Sequence, residues 1–247
     1  MAVFAQDSVG TIGGGHLEWQ AMAHARACLQ GQAVDTTVRY ALGPSLGQCC
    51  GGEVVLIYES VTALDVLRLQ EAFALAQLNW PPVALFGGGH VGRALVQVLG
   101  PLPLRLSWID SRDQIFPASL PGQVRTEHSD PVQAAVAHLT PGSLVLVMSF
   151  SHAEDLDVVA ACLLRQRARG DVPFIGLIGS QTKWATIGRR LQARGFTATE
   201  LAGVTCPIGL PGIAGKAPEV IAVAVAAQVL QVIGQLHASG GETLRNT

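Results

Sequence analysis

The chain is predicted to be an α/β protein in which a small N-terminal α+β domain precedes a doubly wound parallel sheet. Three observations predict it. Asn79-Trp80-Pro81-Pro82 punctuates the chain strongly. Beyond it, short apolar runs alternate regularly with helical patterns, as they do in a parallel sheet with crossover helices. The first of those runs, Val83-Ala84-Leu85-Phe86, leads straight into a glycine turn that opens a helix. The punctuation sets the boundary, giving domains at 1–78 and 79–247, and 247 residues suffice for two modest domains.

In the first domain Leu17, Ala21, Ala25 and Cys28 fall on one face of a helix, which places Cys28 in the core. Val34, Thr36, Val38 and Tyr40 alternate with more polar neighbours, as a half-buried strand does, and residues 54–58 are a short apolar run. Between them lies a glycine-bearing loop with Pro44, Cys49 and Cys50. Leu64, Leu67, Phe73, Leu75 and Leu78 predict a helix over residues 61–78. In the second domain strands are expected at 83–86, 104–109, 123–127, 144–149 and 173–178. A helix rich in small residues is expected over 218–236, introduced by Gly212, Gly215 and Pro218.

Composition excludes several classes. Apolar residues make up 49% and charged residues 14% of the chain, against a usual charged fraction of about 25%, so it is not a disordered polymer. Sixteen basic and eighteen acidic residues leave a net charge of −2, with no surplus to neutralise nucleic acid or an anionic bilayer. Uninterrupted apolar runs such as residues 220–227 fall short of the roughly 20 residues that span a membrane. No basic segment leads into an apolar stretch at the N-terminus. Five cysteines are too sparse and too odd a number for a disulfide scaffold, which suits a reducing compartment. The expectation is a cytoplasmic protein that binds neither nucleic acid nor membrane.

The chemistry is carried by glycine turns. Gly87-Gly88-Gly89-His90-Val91-Gly92 has GxGxxG spacing between a predicted strand and a predicted helix. Gly87 permits the tight turn, Gly89 lets the backbone approach a pyrophosphate, and Gly92 lets the helix pack on the sheet. Asp110 closes the next strand, where an acid would accept from a ribose diol, and Arg112 just after it would suit a 2′-phosphate instead, so NAD and NADP stay open. This is either the fingerprint of a Rossmann-like, dinucleotide-binding sheet or an ordinary glycine-rich turn of a doubly wound sheet with Asp110 as an exposed strand end. Gly179, Ser180 and Lys183 follow the last of these strands, and since the carboxyl ends of parallel strands share one rim, Gly89, Asp110, His152 and Ser180 should converge there. Gly179-Ser180 is either a second anion-binding helix start or ordinary capping by Ser180. His152 is either an acid/base group or a plain surface histidine. Lys183 and Lys216 are the chain's only lysines, and both fall in glycine-bearing segments.

Cys49 and Cys50 are vicinal, about 3.8 Å apart at Cα, too close for an ordinary mutual disulfide. Neither Cys162 nor Cys206 has a partner at metal-ligand spacing, so no metal site is expected. The glycines flanking Cys49 and Cys50 leave two readings open, accessible sulfur-handling thiols or small buried hydrophobes.

Taken together, Gly10-Thr11-Ile12-Gly13-Gly14-Gly15-His16-Leu17-Glu18, residues 48–52, residues 85–92, Ser151-His152 with Asp155-Leu156, residues 178–190 and residues 206–216 run in order along nearly the whole chain. In them the chain resembles the XdhC/CoxI family of xanthine dehydrogenase accessory proteins. The resemblance implies a chaperone rather than a turnover enzyme. Such a protein binds molybdenum cofactor (molybdopterin), protects it while a cysteine desulfurase supplies the terminal sulfido ligand, and delivers it to a xanthine dehydrogenase-type molybdenum hydroxylase. On that reading Gly13, Gly14, Gly15, Gly87, Gly89, His90, Gly92, Asp110, Gly179, Ser180 and Lys183 hold the cofactor in a cleft between the domains, and Cys49 or Cys50 handles sulfur. The competing reading is an NAD(P)-dependent oxidoreductase with His152 as acid/base. Family members usually begin several dozen residues earlier. The first domain is therefore expected to lack its first strands and to leave a sheet edge that a second copy covers as a homodimer.

Overall fold

The computed structural model of the chain describes residues 1–42, 52–120 and 124–243. Internal contacts divide the protein into two compact units, Met1–Phe73 and Ala74–Thr247.

The first unit opens with a minimal antiparallel ribbon, β1 (Ala2–Val3) and β2 (Ser8–Val9). Helix α1 (Gly15–Leu29) follows and buries Leu17 and Ala21, as the periodicity predicts. Cys28, expected in the core, is only half-buried. Ala25, the preceding position of the repeat, is likewise only half-buried. Strands β3 (Thr37–Leu42) and β4 (Gly52–Ile57) pair antiparallel with Tyr40 opposite Val54. The first strand thus starts later than Val34, its alternation preserved. A 3₁₀ turn at Ala63–Asp65, capped by Thr62, leads into α2 (Val66–Leu78), which buries none of its residues and of which only the part up to Phe73 belongs to this unit.

The second unit is built on a six-stranded parallel sheet. Its strands are β5 (Pro82–Phe86), β6 (Arg105–Asp110), β7 (Val124–His128), β8 (Leu144–Val147), β9 (Phe174–Leu177) and β10 (Val204–Thr205). Their spatial order is β10-β9-β8-β5-β6-β7. Counted within the unit and read from β7, this is the 3-2-1-4-5-6 order of the Rossmann fold, with the reversal between β5 and β8. The connections run through α3 (His90–Leu99), a 3₁₀ segment at Val132–His138, α4 (His152–Arg169), α5 (Gln181–Ala193) and α6 (Ala198–Ala202); α7 (Pro218–Thr243) closes the unit.

Strand alternation divides the core in two. Ala84, Phe86, Val145 and Val147 pack under α4 and α5, whereas Val83, Leu85, Leu144, Leu146 and Trp108 pack with Leu95, Leu99, Ala222, Val225 and Val229 of α3 and α7. Both faces are covered, which is why the strands read as continuous apolar runs. Arg165 of α4 is buried with all three guanidinium nitrogens engaged. It meets both carboxylate oxygens of Asp171 and donates to the carbonyls of Val136 and Leu139. This ties α4 to the 3₁₀ segment that replaces a helix between β7 and β8.

Two differences from the sequence expectation matter. β10 was not expected, because two residues show no periodicity. And α7, over Pro218–Ser239, is by length and composition apolar enough to cross a membrane, because glutamines interrupt the apolar run without ending the helix. Its buried stripe, Ala222, Val225, Ala226, Val229 and Ile233, joins the core beside α3.

Candidate functional site

The carboxyl ends of β5 and β8 border the point where strand order reverses, the position at which open α/β sheets bind ligands. Three polar clusters meet there, each set by residues just past a strand.

The first is the glycine turn. The Gly87 amide donates to the Ile109 carbonyl at 2.8 Å, and its φ of +122° places a would-be Cβ 2.0 Å from the Met148 carbonyl oxygen. Gly92 is as tightly held, since its would-be Cβ lies 2.0 Å from the Gly87 carbonyl oxygen. That oxygen also accepts from Trp108 Nε1 at 2.9 Å. Gly89, in contrast, faces open space and precedes α3 with no side-chain cap. The first amides of α3 lack partners within the helix and point outward with the positive end of its dipole. His90 is exposed at the first helical position.

The second cluster concerns Asp110, which is 1% exposed. Its carboxylate accepts from the Gly88 amide at 2.5 Å, from the Arg112 amide at 2.8 Å, and from Arg112 Nε and Nη2 at 2.9 Å each. Four donors use the lone pairs a carboxylate offers. A ribose diol could bind Asp110 only after Arg112 or Gly88 let go. The acid that the spacing assigned to ribose is therefore engaged in fixing the turn. Burial pushes the Asp110 carboxyl up, but the hydrogen bonds from Arg112 and Gly88 outweigh it and hold the group below its ordinary 3.8. A depressed folded-state value stabilises the fold above the unfolded pKa and is lost as pH falls through the folded one. Urea unfolding should thus show a drop in midpoint below about pH 3.8 that is smaller in Asp110→Asn; equal drops in both proteins would remove Asp110 from this account.

The third cluster joins β8, α4 and α5. Asp155, 2% exposed, accepts from the Ser149 amide at 2.8 Å and from Lys183 Nζ at 2.6 Å. Lys183 Nζ also donates to the Ile178 carbonyl at 2.8 Å. Both strand ends are thereby pinned to one ion pair. Glu154 accepts from the Phe150 amide and from Ser111 Oγ. Ser149 Oγ is buried and meets no hydrogen-bond partner among the described residues. Ser180 caps α5 by accepting from the Lys183 amide at 3.1 Å, so its hydroxyl oxygen and the Lys183 ammonium both have structural work. His152 begins α4 at the rim and is exposed.

Further along the same rim, a cavity of about 460 Å³ opens between the β9–α5 turn and the loop preceding α7. Ile178, Gly179, Ile208, Leu210, Ile213 and Ile221 supply much of its wall. Cys206 lies half-buried near it, and burial pushes its thiol up against the opposing effect of Lys183. Cys162 is sealed in the core, where burial raises it to about 12. Cys49 and Cys50 lie outside the described residues.

In the first unit, the turn at Gly13, Gly14 and Gly15 is held from within. Glu18 accepts from Thr11 Oγ1, from the Ile12 amide at 2.9 Å and from the Gly14 amide at 3.1 Å. The Thr11 hydroxyl, then these two amides, lower the Glu18 carboxyl below its usual range. A protein carboxylate thus occupies amides that could otherwise cradle a phosphate. Neither α3 at Gly89 nor α1 at Gly14 has a side-chain cap, but the turn before α1 already holds the Glu18 carboxylate. Sequence reasoning named Glu18 and Asp155 only within the segments that carry the resemblance, without a role, and missed Arg112 as the partner of Asp110, Glu154 and Phe150. Of these, Asp155 could have been suspected, since an acid four residues after the Ser151 cap lies on the inward face of α4.

Residues 83–229 match the family model described as the XdhC Rossmann domain, and residues 1–41 match that of the XdhC and CoxI family. None of the curated proteins matches the chain. Among solved structures, a xanthine dehydrogenase crystal structure from Bacillus halodurans superposes with a TM-score of 0.69 at 18% identity, covering 92% of this chain and 83% of that one. At such identity the likeness is one of fold. A Rossmann-fold NAD(P)-binding family protein from Shigella flexneri reaches a TM-score of 0.36 at 19% identity, over 48% of this chain and 64% of that one.

Proposed function

The chain belongs to the XdhC and CoxI family, and from that premise we propose that it is an accessory protein that carries molybdopterin to a xanthine dehydrogenase-type molybdenum hydroxylase. The observation that carries this reading is the division of labour at the switch point. The glycine turn keeps an open, uncapped helix start at Gly89, while Asp110, the residue a dinucleotide enzyme needs for ribose, is saturated by Gly88 and Arg112. Such a site favours a phosphate without reading a ribose diol, which suits the phosphate-bearing pterin dithiolene as cargo. The α3 amides hold the phosphate, the Asp155–Lys183 pair keeps the rim in place, and the neighbouring cavity takes apolar surface. While the cargo is held, the Cys49 or Cys50 thiolate takes the outer sulfur of a persulfide on a cysteine desulfurase, whose S–S bond breaks to leave the desulfurase cysteine as a thiol.

The rival oxidoreductase reading keeps one point in its favour, the glycine turn itself, and a single preparation separates the two. Mass spectrometry of the purified protein should find molybdopterin retained through gel filtration, and incubation with NADH or NADPH and carbonyl substrates should give no cofactor-dependent absorbance change. Turnover without pterin retention would overturn the proposal. The double variant Cys49→Ala/Cys50→Ala should keep the pterin content and thermal midpoint within error. It should also lower sulfuration of the client enzyme by at least about tenfold. Undiminished sulfuration would remove these thiols from the pathway.

A further inference from the structure

Phe150 is placed unlike any other aromatic residue of the second unit. It is 65% exposed, whereas every other phenylalanine and tryptophan described in Ala74–Thr247 is buried or half-buried. The usual structural use of an apolar residue just before a helix cap is to pack against the fourth helical residue. Here that residue is Asp155, turned inward to Ser149 and Lys183, so Phe150 has no such staple to make. Its position is fixed all the same. Its amide donates to Glu154 at 3.1 Å, and the Arg112 guanidinium lies over its ring at 4.5 Å. Arg112 is in turn locked bidentate on Asp110, which holds the glycine turn through the Gly88 amide. One face of the ring is thus backed by a cation, and three contacts, ring to Arg112, Arg112 to Asp110 and Asp110 to Gly88, connect it to the turn.

We propose that Phe150, backed by Arg112, is a stacking platform that binds a planar fused nitrogen heterocycle whose phosphate reaches the glycine turn. Purine nucleotides and pterin phosphates share this chemistry. The electron-poor ring stacks on the aromatic face, and Arg112 holds that face in place without being consumed as a ribose or phosphate reader. The inference rests on the cargo reading only through the glycine turn.

The test is equilibrium binding to the full chain of three probes: AMP, a 6-substituted pterin monophosphate, and ribose 5-phosphate as a ringless control. At least one ring-bearing probe should bind about tenfold or more tighter than ribose 5-phosphate, and Phe150→Ala should abolish that advantage while leaving ribose 5-phosphate binding and the thermal midpoint unchanged. Phe150→Tyr should restore it. Equal binding of all three probes by the unaltered protein, no binding of any, or an undiminished ring advantage in Phe150→Ala would overturn the platform. If AMP keeps the ring advantage while neither the pterin phosphate nor molybdopterin binds, the platform stands and the cargo reading falls.

Discussion

Lys183→Met should destabilise the second unit by about 3–5 kcal/mol, the cost of leaving a buried carboxylate without its counter-charge. For a unit of this size that corresponds to a thermal midpoint lower by roughly 6–20 °C. The reason is the burial of both partners: Asp155 is 2% exposed and the Lys183 side chain 13%, far from the solvated regime in which ion pairs contribute under about 1 kcal/mol. Methionine fills most of the lysine stem's volume, so the loss reports charge and hydrogen bonding rather than a cavity. Two links break at once, from Nζ to Asp155 and from Nζ to the Ile178 carbonyl. Asp155 keeps only the Ser149 amide. The double variant Lys183→Met/Asp155→Asn should recover more than half of the loss, since a neutral amide oxygen still accepts from Ser149 without stranding a charge. Thermal unfolding of the three proteins decides the matter; a midpoint for Lys183→Met within 2 °C of the unaltered protein would mean that water already solvates the pair.

Much of this architecture is legible in the chain itself. Parallel strands buried on both faces leave continuous apolar runs, and five of the six strands lie where such runs predict them, within one or two residues at most ends. The glycine turn is legible for the same reason: few sequences other than a tight strand-to-helix crossing require glycine at both Gly87 and Gly92. What cannot be read is pairing across distance. Asp155 and Lys183 are 28 residues apart and meet only because β8 and β9 run parallel and α4 and α5 start at one rim. The spacing that assigned Asp110 to ribose was sound for the strand end. It could not show that Arg112, two residues on, folds back to take the same carboxylate. Glu18 illustrates the converse. Its helical position is predictable, yet its reach back to Thr11, Ile12 and Gly14 depends on the turn's conformation, with φ positive at Gly13, Gly14 and Gly15. Exposure is the least legible of all: Phe150 looks in sequence like one more apolar residue beside a strand.

Gly92→Ala should be the most damaging single-methyl addition at the site, with a loss of more than about 3 kcal/mol or failure to accumulate folded protein. A Cβ there would stand 2.0 Å from the Gly87 carbonyl oxygen and 3.1 Å from its carbon, so one of two backbones must move. Gly87 cannot yield, because its own would-be Cβ position is 2.0 Å from the Met148 carbonyl oxygen and its carbonyl is held by Trp108 Nε1. The helix cannot withdraw without unpacking Leu95 and Leu99 from the core. Gly179→Ala is the informative contrast. There the nearest atom is the Lys183 Cδ at 2.6 Å, a side-chain atom rather than backbone, so the stem can shift where the Gly87 carbonyl cannot and the cost should stay below that of Gly92→Ala. Gly89→Ala meets nothing within 4 Å and keeps an ordinary φ of −71°; it should leave the thermal midpoint within about 2 °C. A methyl group at that open position nevertheless stands between a phosphate and the first amides of α3, so molybdopterin retention should fall at least about tenfold. Folding and binding then separate across one turn: Gly92→Ala lost from the soluble fraction, Gly89→Ala soluble and empty. Retention of molybdopterin by a well-folded Gly89→Ala would place the phosphate elsewhere on the rim, and the cavity beside the β9–α5 turn would become its nearest alternative.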